Sequence, residues 1–150
     1  MKKSLMVWAL LLTLGVTSSF ARTDVGTNEK AVDAFKKEFA AARNVEWEQG
    51  KDFSKATFTL NDQVLFAYYS GEGDLLAITR NILSSQLPIN LLADLKKSYN
   101  DYWITDLFEM AANDSTSYYV TIESGDYTIV LRSAGSNGWE VFKKERKNLA

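Results

Sequence analysis

The chain has 150 residues, with 17 Lys and Arg against 19 Asp and Glu, and contains neither His nor Cys. A net charge of −2 offers no basic stripe for phosphates, which excludes nucleic acid as a partner. Without His or Cys the chain lacks the commonest general base, thiol nucleophiles, soft metal ligands and disulfide staples.

The N-terminus has the layout of an export signal. Lys2 and Lys3 precede the apolar run Leu5–Val16, and Ser19-Phe20-Ala21 sets small residues at the −3 and −1 positions of a cleavage site. The run is too short to span a ~30 Å hydrocarbon core comfortably. Residues 1–21 are therefore expected to be a cleaved signal peptide, and 22–150 one exported domain, periplasmic or secreted, with no stable membrane insertion. Cleavage removes two positive charges, and no lipidated Cys follows it.

Thr27 or Asn28 can cap a helix running through Phe39, with Glu29 at its positive end. Val32, Phe35 and Phe39 form its apolar stripe. Four strands follow across Asn44–Arg80, separated by turn residues at Gly50-Lys51-Asp52, Asn61-Asp62 and Ser70–Asp74. Val45 and Trp47 alternate with Glu46 and Glu48, and Ala56, Phe58 and Leu60 alternate with Lys55, Thr57 and Thr59. The third strand is apolar on both sides, with Val64, Phe66 and Tyr68 on one and Leu65, Ala67 and Tyr69 on the other. A strand of that kind is central or carries a covered or binding surface.

After the polar connector Asn81–Gln86, Pro88 opens a second helix. Its stripe, Leu92, Leu95 and Tyr99, repeats the first one sixty positions later. Strands are expected at Trp103–Met110, Ser117–Glu123, Tyr127–Arg132 and Trp139–Lys144, and a solvated basic tail at Lys143–Lys147. The expected fold is α+β. It has two tandem repeats, 28–80 and 87–144, each one helix followed by a four-stranded antiparallel sheet, with the helices packed on one sheet face. Joining of the two sheets is favoured, because units of ~55 residues are marginal alone.

This pattern resembles the PepSY-like proteins grouped with β-lactamase-inhibitor-like proteins, small exported chains of the bacterial envelope. Ala34–Phe39 leading into Asn44–Glu48, then Phe58–Gln63, Leu87-Pro88 and Tyr118–Ile122 carry the resemblance. The family often has Tyr-Pro at the helix exit, where this chain has Phe39-Ala40 and Tyr99-Asn100. No inhibitory loop matches, so no inhibitory residues are carried over. The resemblance implies a non-catalytic, inhibitor-like binding protein of the envelope.

Chemistry has few candidates. Glu46, Glu48, Glu72 and Asp74 could form a glycosidase pair, but a solvated polar face explains them better. Ser70–Asp74 and Asn113–Ser115 lack the ligand spacing of a Ca²⁺ loop and read as hairpin turns. No cofactor is expected.

The aromatics are more informative. By alternation Trp47, Phe58, Phe66, Tyr68, Tyr118, Tyr127 and Trp139 belong to the helix-covered face. Tyr69, Tyr119 and Phe142 fall on the opposite register with Leu65 and Val130, and Trp103 joins them if its strand takes that register. On an open sheet face these residues would form a surface that engages a protein or peptide of the envelope. The alternative is a periplasmic carrier or sensor of a small envelope ligand, a glycan or lipid fragment, which a closed apolar pocket between helix and sheet would favour.

Overall fold

A computed structural model of the chain describes residues 26–148. The expected signal peptide and its cleavage site lie outside the described residues.

Asn28 caps α1 (Glu29–Glu38), its side chain accepting from the Lys30 N–H at 3.1 Å. Four strands follow: β1 (Arg43–Gln49), β2 (Phe53–Leu60), β3 (Gln63–Ser70) and β4 (Leu75–Asn81). A 3₁₀ turn at Ser84–Gln86 leads to α2 (Ile89–Ser98), with Pro88 at its N-cap rather than inside its first turn. The chain ends in β5 (Trp103–Ala112), β6 (Ser115–Glu123), β7 (Tyr127–Ala134) and β8 (Glu140–Arg146). Asn61-Asp62 and Asn113-Asp114 make two-residue hairpin turns with positive φ at both positions, which Asn and Asp tolerate better than other L-residues.

All eight strands form one antiparallel sheet in the order β1 to β8. This overturns the expected architecture of two repeats, each with its own four-stranded sheet. The junction is the pairing of Ile78–Asn81 on β4 with Phe108–Ala111 on β5. Its cause is edge energetics: two separate sheets would leave β4 and β5 as apolar edges with unpaired backbone groups. Pairing them leaves only β1 and β8 as edges, and both are rich in charge. Bulges interrupt the pairing of β1 with β2, β3 with β4, β5 with β6 and β7 with β8, bending the sheet.

Both helices lie on the same face. Ala31 and Phe35 of α1 bury against Ala56, Phe58, Ala67 and Tyr69. Leu95 of α2 buries against Leu107, Val120, Ile122, Ile129 and Leu131. The register links the two groups, since Ala67 pairs with Ile78, Ile78 with Ala111, and Leu107 shares the face of Ala111. Trp139 fastens α2 by donating its indole N–H to the Leu91 carbonyl at 2.9 Å. Each fully buried large side chain contributes about 1.5–3 kcal/mol, so these two clusters hold the helices down.

The third strand corrects the sequence expectation. Tyr69 and Leu65 sit under α1, whereas Phe66 and Tyr68 point to the face without a helix. Because β3 is apolar on both sides, alternation alone could not choose its register. Packing against β2 chose it: Ala56 opposes Ala67, and these two small residues leave room for Phe35.

Candidate functional site: the uncovered sheet face

The second face carries its own apolar cluster, and among the described residues no helical one belongs to it. Tyr68, Ala77, Met110 and Tyr119 are buried at its centre. Half-buried Phe53, Phe66, Phe108, Val130 and Phe142 surround them. The register sets these residues side by side: Tyr68 opposes Ala77, Phe66 opposes Thr79, Thr79 opposes Met110, and Phe108 opposes Tyr119. Phe108 and Tyr119 stack at 5.1 Å between centroids, and Phe142 meets Tyr119 edge-on at 5.7 Å. Phe53 packs on Tyr68 at 5.9 Å.

An ion pair flanks the cluster on each side. Lys55 holds Glu48 at 3.1 Å while its ammonium lies 5.1 Å from the Phe66 ring centroid. Arg132 reaches Glu140 at 3.4 Å and hydrogen-bonds the Tyr119 hydroxyl. Burial pushes the Tyr119 hydroxyl above its ordinary pKa, opposed by the Arg132 charge and hydrogen bond. Burial does the same to Tyr68, opposed by the hydrogen bond with Thr79. Both phenols stay neutral at physiological pH, so the face presents rings and hydroxyl dipoles bordered by charge.

Of the four residues expected to line a binding face, the structure brings two together, Tyr119 and Phe142. Tyr69 is on the other side of the sheet, 0% exposed, with Trp47 and Phe35 rings at 6.0 and 6.5 Å. Its hydroxyl is buried without a hydrogen-bond partner and its pKa is pushed up to about 12, by burial first and then by Glu38. Trp103 pairs with Glu123 at the far end of β5, beyond the bulge that separates Ile104 from Asp106. It is 51% exposed, and the Lys147 ammonium lies 5.0 Å from its ring while pairing with Glu123 at 2.6 Å. It is a rim residue rather than a member of the cluster.

Sequence reasoning missed Phe66, Tyr68, Phe108 and Met110 as members of this face. Phe108 and Met110 alternate within β5, and only the pairing with β4 and β6 shows which side they share. Two of the four acidic candidates are occupied by lysines. Glu48 is paired with Lys55, and Glu72 with Lys30 at 2.8 Å, which lowers its pKa. Ser70 Oγ accepts from the N–H groups of Glu72 and Asp74, so that loop is a closed turn. Among the described residues no group of three or more His, Cys, Asp or Glu could hold a metal, and no helix is long and apolar enough to cross a membrane.

No protein-family model matches the chain, and no curated protein matches it. Solved structures share its fold. A BLIP-like protein from Bacteroides fragilis NCTC 9343 superposes with a TM-score of 0.69 at 19% identity, covering 81% of this chain and 87% of that one. A DUF2874 family protein from Bacteroides ovatus ATCC 8483 gives 0.69 at 14% identity, covering 84% and 89%. A protein proposed to be periplasmic, from Bacteroides eggerthii DSM 20697, gives 0.69 at 12% identity over 80% and 88%. The PepSY-like part of the resemblance drawn from sequence gains no support from these structures. At such identities the similarity is one of fold: this chain has the architecture of BLIP-like and DUF2874 proteins.

Proposed function

We propose that this is an exported, non-catalytic binding protein that docks a protein or peptide of the bacterial envelope on its uncovered sheet face and acts, inhibitor-like, by occlusion. One observation carries the proposal: an aromatic cluster, Phe66, Tyr68, Phe108, Tyr119 and Phe142 among its members, lies on a face that neither α1 nor α2 covers. Buried Tyr68 and Tyr119 anchor the half-buried phenylalanines, which reduces the entropy a partner's arrival would have to overcome. Flanking ion pairs give a polar rim around an apolar centre, the usual anatomy of a protein interface. Export is supported by the signal-like N-terminus and by the likeness to a protein proposed to be periplasmic.

The test is capture of envelope proteins on the immobilised protein beside a Phe66→Ser/Phe142→Ser variant. A partner held by the first and lost by the second, with the variant's Tm little changed, is the expected outcome. A partner that binds both equally would place the interface elsewhere.

A further inference from the structure

The two helices end alike but cover different interiors. Phe39 closes α1 and Tyr99 closes α2, each donating its N–H to the carbonyl four residues earlier, Phe35 at 2.8 Å and Leu95 at 2.9 Å. Ala42 and Tyr102 then donate back to the Phe39 and Tyr99 carbonyls at 2.9 and 3.1 Å. Beneath the end of α1 the space is filled with rings, Phe39 packing on Phe35 at 5.2 Å and on Phe58 at 4.8 Å. Beneath the end of α2, Tyr99 turns instead toward Tyr102, edge-on at 5.7 Å. The aliphatic side chains Leu92, Leu95, Ile104 and Ile122 leave a cavity of about 300 Å³ between helix and sheet. That is the lower end of the range for small-molecule sites, so its ligand is small.

The chemistry of the lining selects the ligand. Ile104 sits in the lining at 43% exposure, an apolar side chain left in water. No acidic side chain lines the cavity, and one cation does, Lys96. Among the described residues Lys96 forms no ion pair, so its charge is available. A cationic ligand would find no counter-charge there. A phosphate would bring two negative charges against one lysine and the partly negative carbonyl end of α2. A single carboxylate on an apolar body fits both the lone cation and the aliphatic walls.

We propose that this cavity binds a small amphiphilic carboxylate, a medium-chain aliphatic or single-ring acid. Its apolar body lies along Leu92, Leu95, Ile104 and Ile122, and its carboxylate meets Lys96. The site is on the helix-covered side of the sheet, opposite the aromatic face, so the two are separable by mutation.

The experiment is titration of the purified protein with octanoate and, separately, octanol, read by calorimetry and by methyl NMR of Leu92, Ile104 and Ile122. Octanoate is expected to bind saturably and shift those methyl signals, with octanol weaker. Lys96→Gln should weaken octanoate about two- to fivefold, the range of an exposed ion pair, and leave octanol unchanged. Ile104→Trp, which fills the cavity from an exposed position, should abolish binding with Tm unchanged. Lys96 is exposed, so its substitution reports even if the tryptophan variant fails to fold. Absence of methyl shifts would overturn the site. Equal binding of octanoate and octanol, indifferent to Lys96→Gln, would overturn the carboxylate assignment, and a Phe66→Ser/Phe142→Ser variant should bind octanoate normally whichever partner docks on the other face.

Discussion

Phe108 on β5 and Tyr119 on β6 stand directly opposite each other in the ladder and stack with their rings 9° from parallel. Tyr119 is 2% exposed although neither α1 nor α2 lies above it, because its neighbours on the same face, Phe108, Val130 and Phe142, close around it. The uncovered face therefore has a structural layer and a contact layer. Tyr119→Ala should cost about 3–5 kcal/mol in urea unfolding, as removal of a buried aromatic does. Phe142→Ser, at the half-buried margin, should cost clearly less and act on binding. Equal losses would mean the face is simply a second core.

Tyr69 makes the opposite case. Its buried hydroxyl has no partner, so Tyr69→Phe should leave stability unchanged or raise it by about 1 kcal/mol, whereas Tyr69→Ala should cost about 3–5 kcal/mol. Binding through the other face should be untouched by Tyr69→Phe.

The same hydroxyl sets an alkaline limit. Its pKa is about 12 in the fold, against about 10 in an unfolded chain. Between these values the unfolded state has released the proton that the native state still holds, so stability falls as pH rises from 10 toward 12. The urea midpoint should decline over that window, and less steeply in Tyr69→Phe.

On the helix-covered face Arg80 and Glu109 form a two-pronged pair, Nε to Oε1 at 3.0 Å and Nη2 to Oε2 at 3.3 Å, with Gln63 accepting from Nη1 at 3.2 Å. It ties β3, β4 and β5 together at the junction of the two halves. Glu109→Ala should cost about 1–2 kcal/mol by leaving Arg80 half-buried without its counter-charge. A Glu109→Leu/Arg80→Met double variant should recover most of that loss, as measured by chemical denaturation.

The junction itself can be checked by hydrogen exchange. In one continuous sheet the amides of Ile78–Asn81 and Phe108–Ala111 that bond across it exchange as slowly as those of β2 and β6. Two separate sheets would let them exchange as fast as the outer edges of β1 and β8.

Local patterning was enough to place nearly every element. Helix caps, turn residues at Asn61-Asp62, and period-2 alternation in β1 and β2 are short-range signals, and the two helices and eight strands of the described residues follow from them. Absence of His and Cys, and the signal-like N-terminus, are likewise properties of the sequence alone. Pairing between β4 and β5 depends on segments separated by a helix, and no spacing encodes it. The register of β3 depends on which small residue had to lie beneath Phe35, since both of its faces were equally apolar. Those two tertiary choices moved Tyr69 into the core, brought Phe66 and Tyr68 out to join Phe108, Tyr119 and Phe142, and so determined which aromatics share the uncovered face.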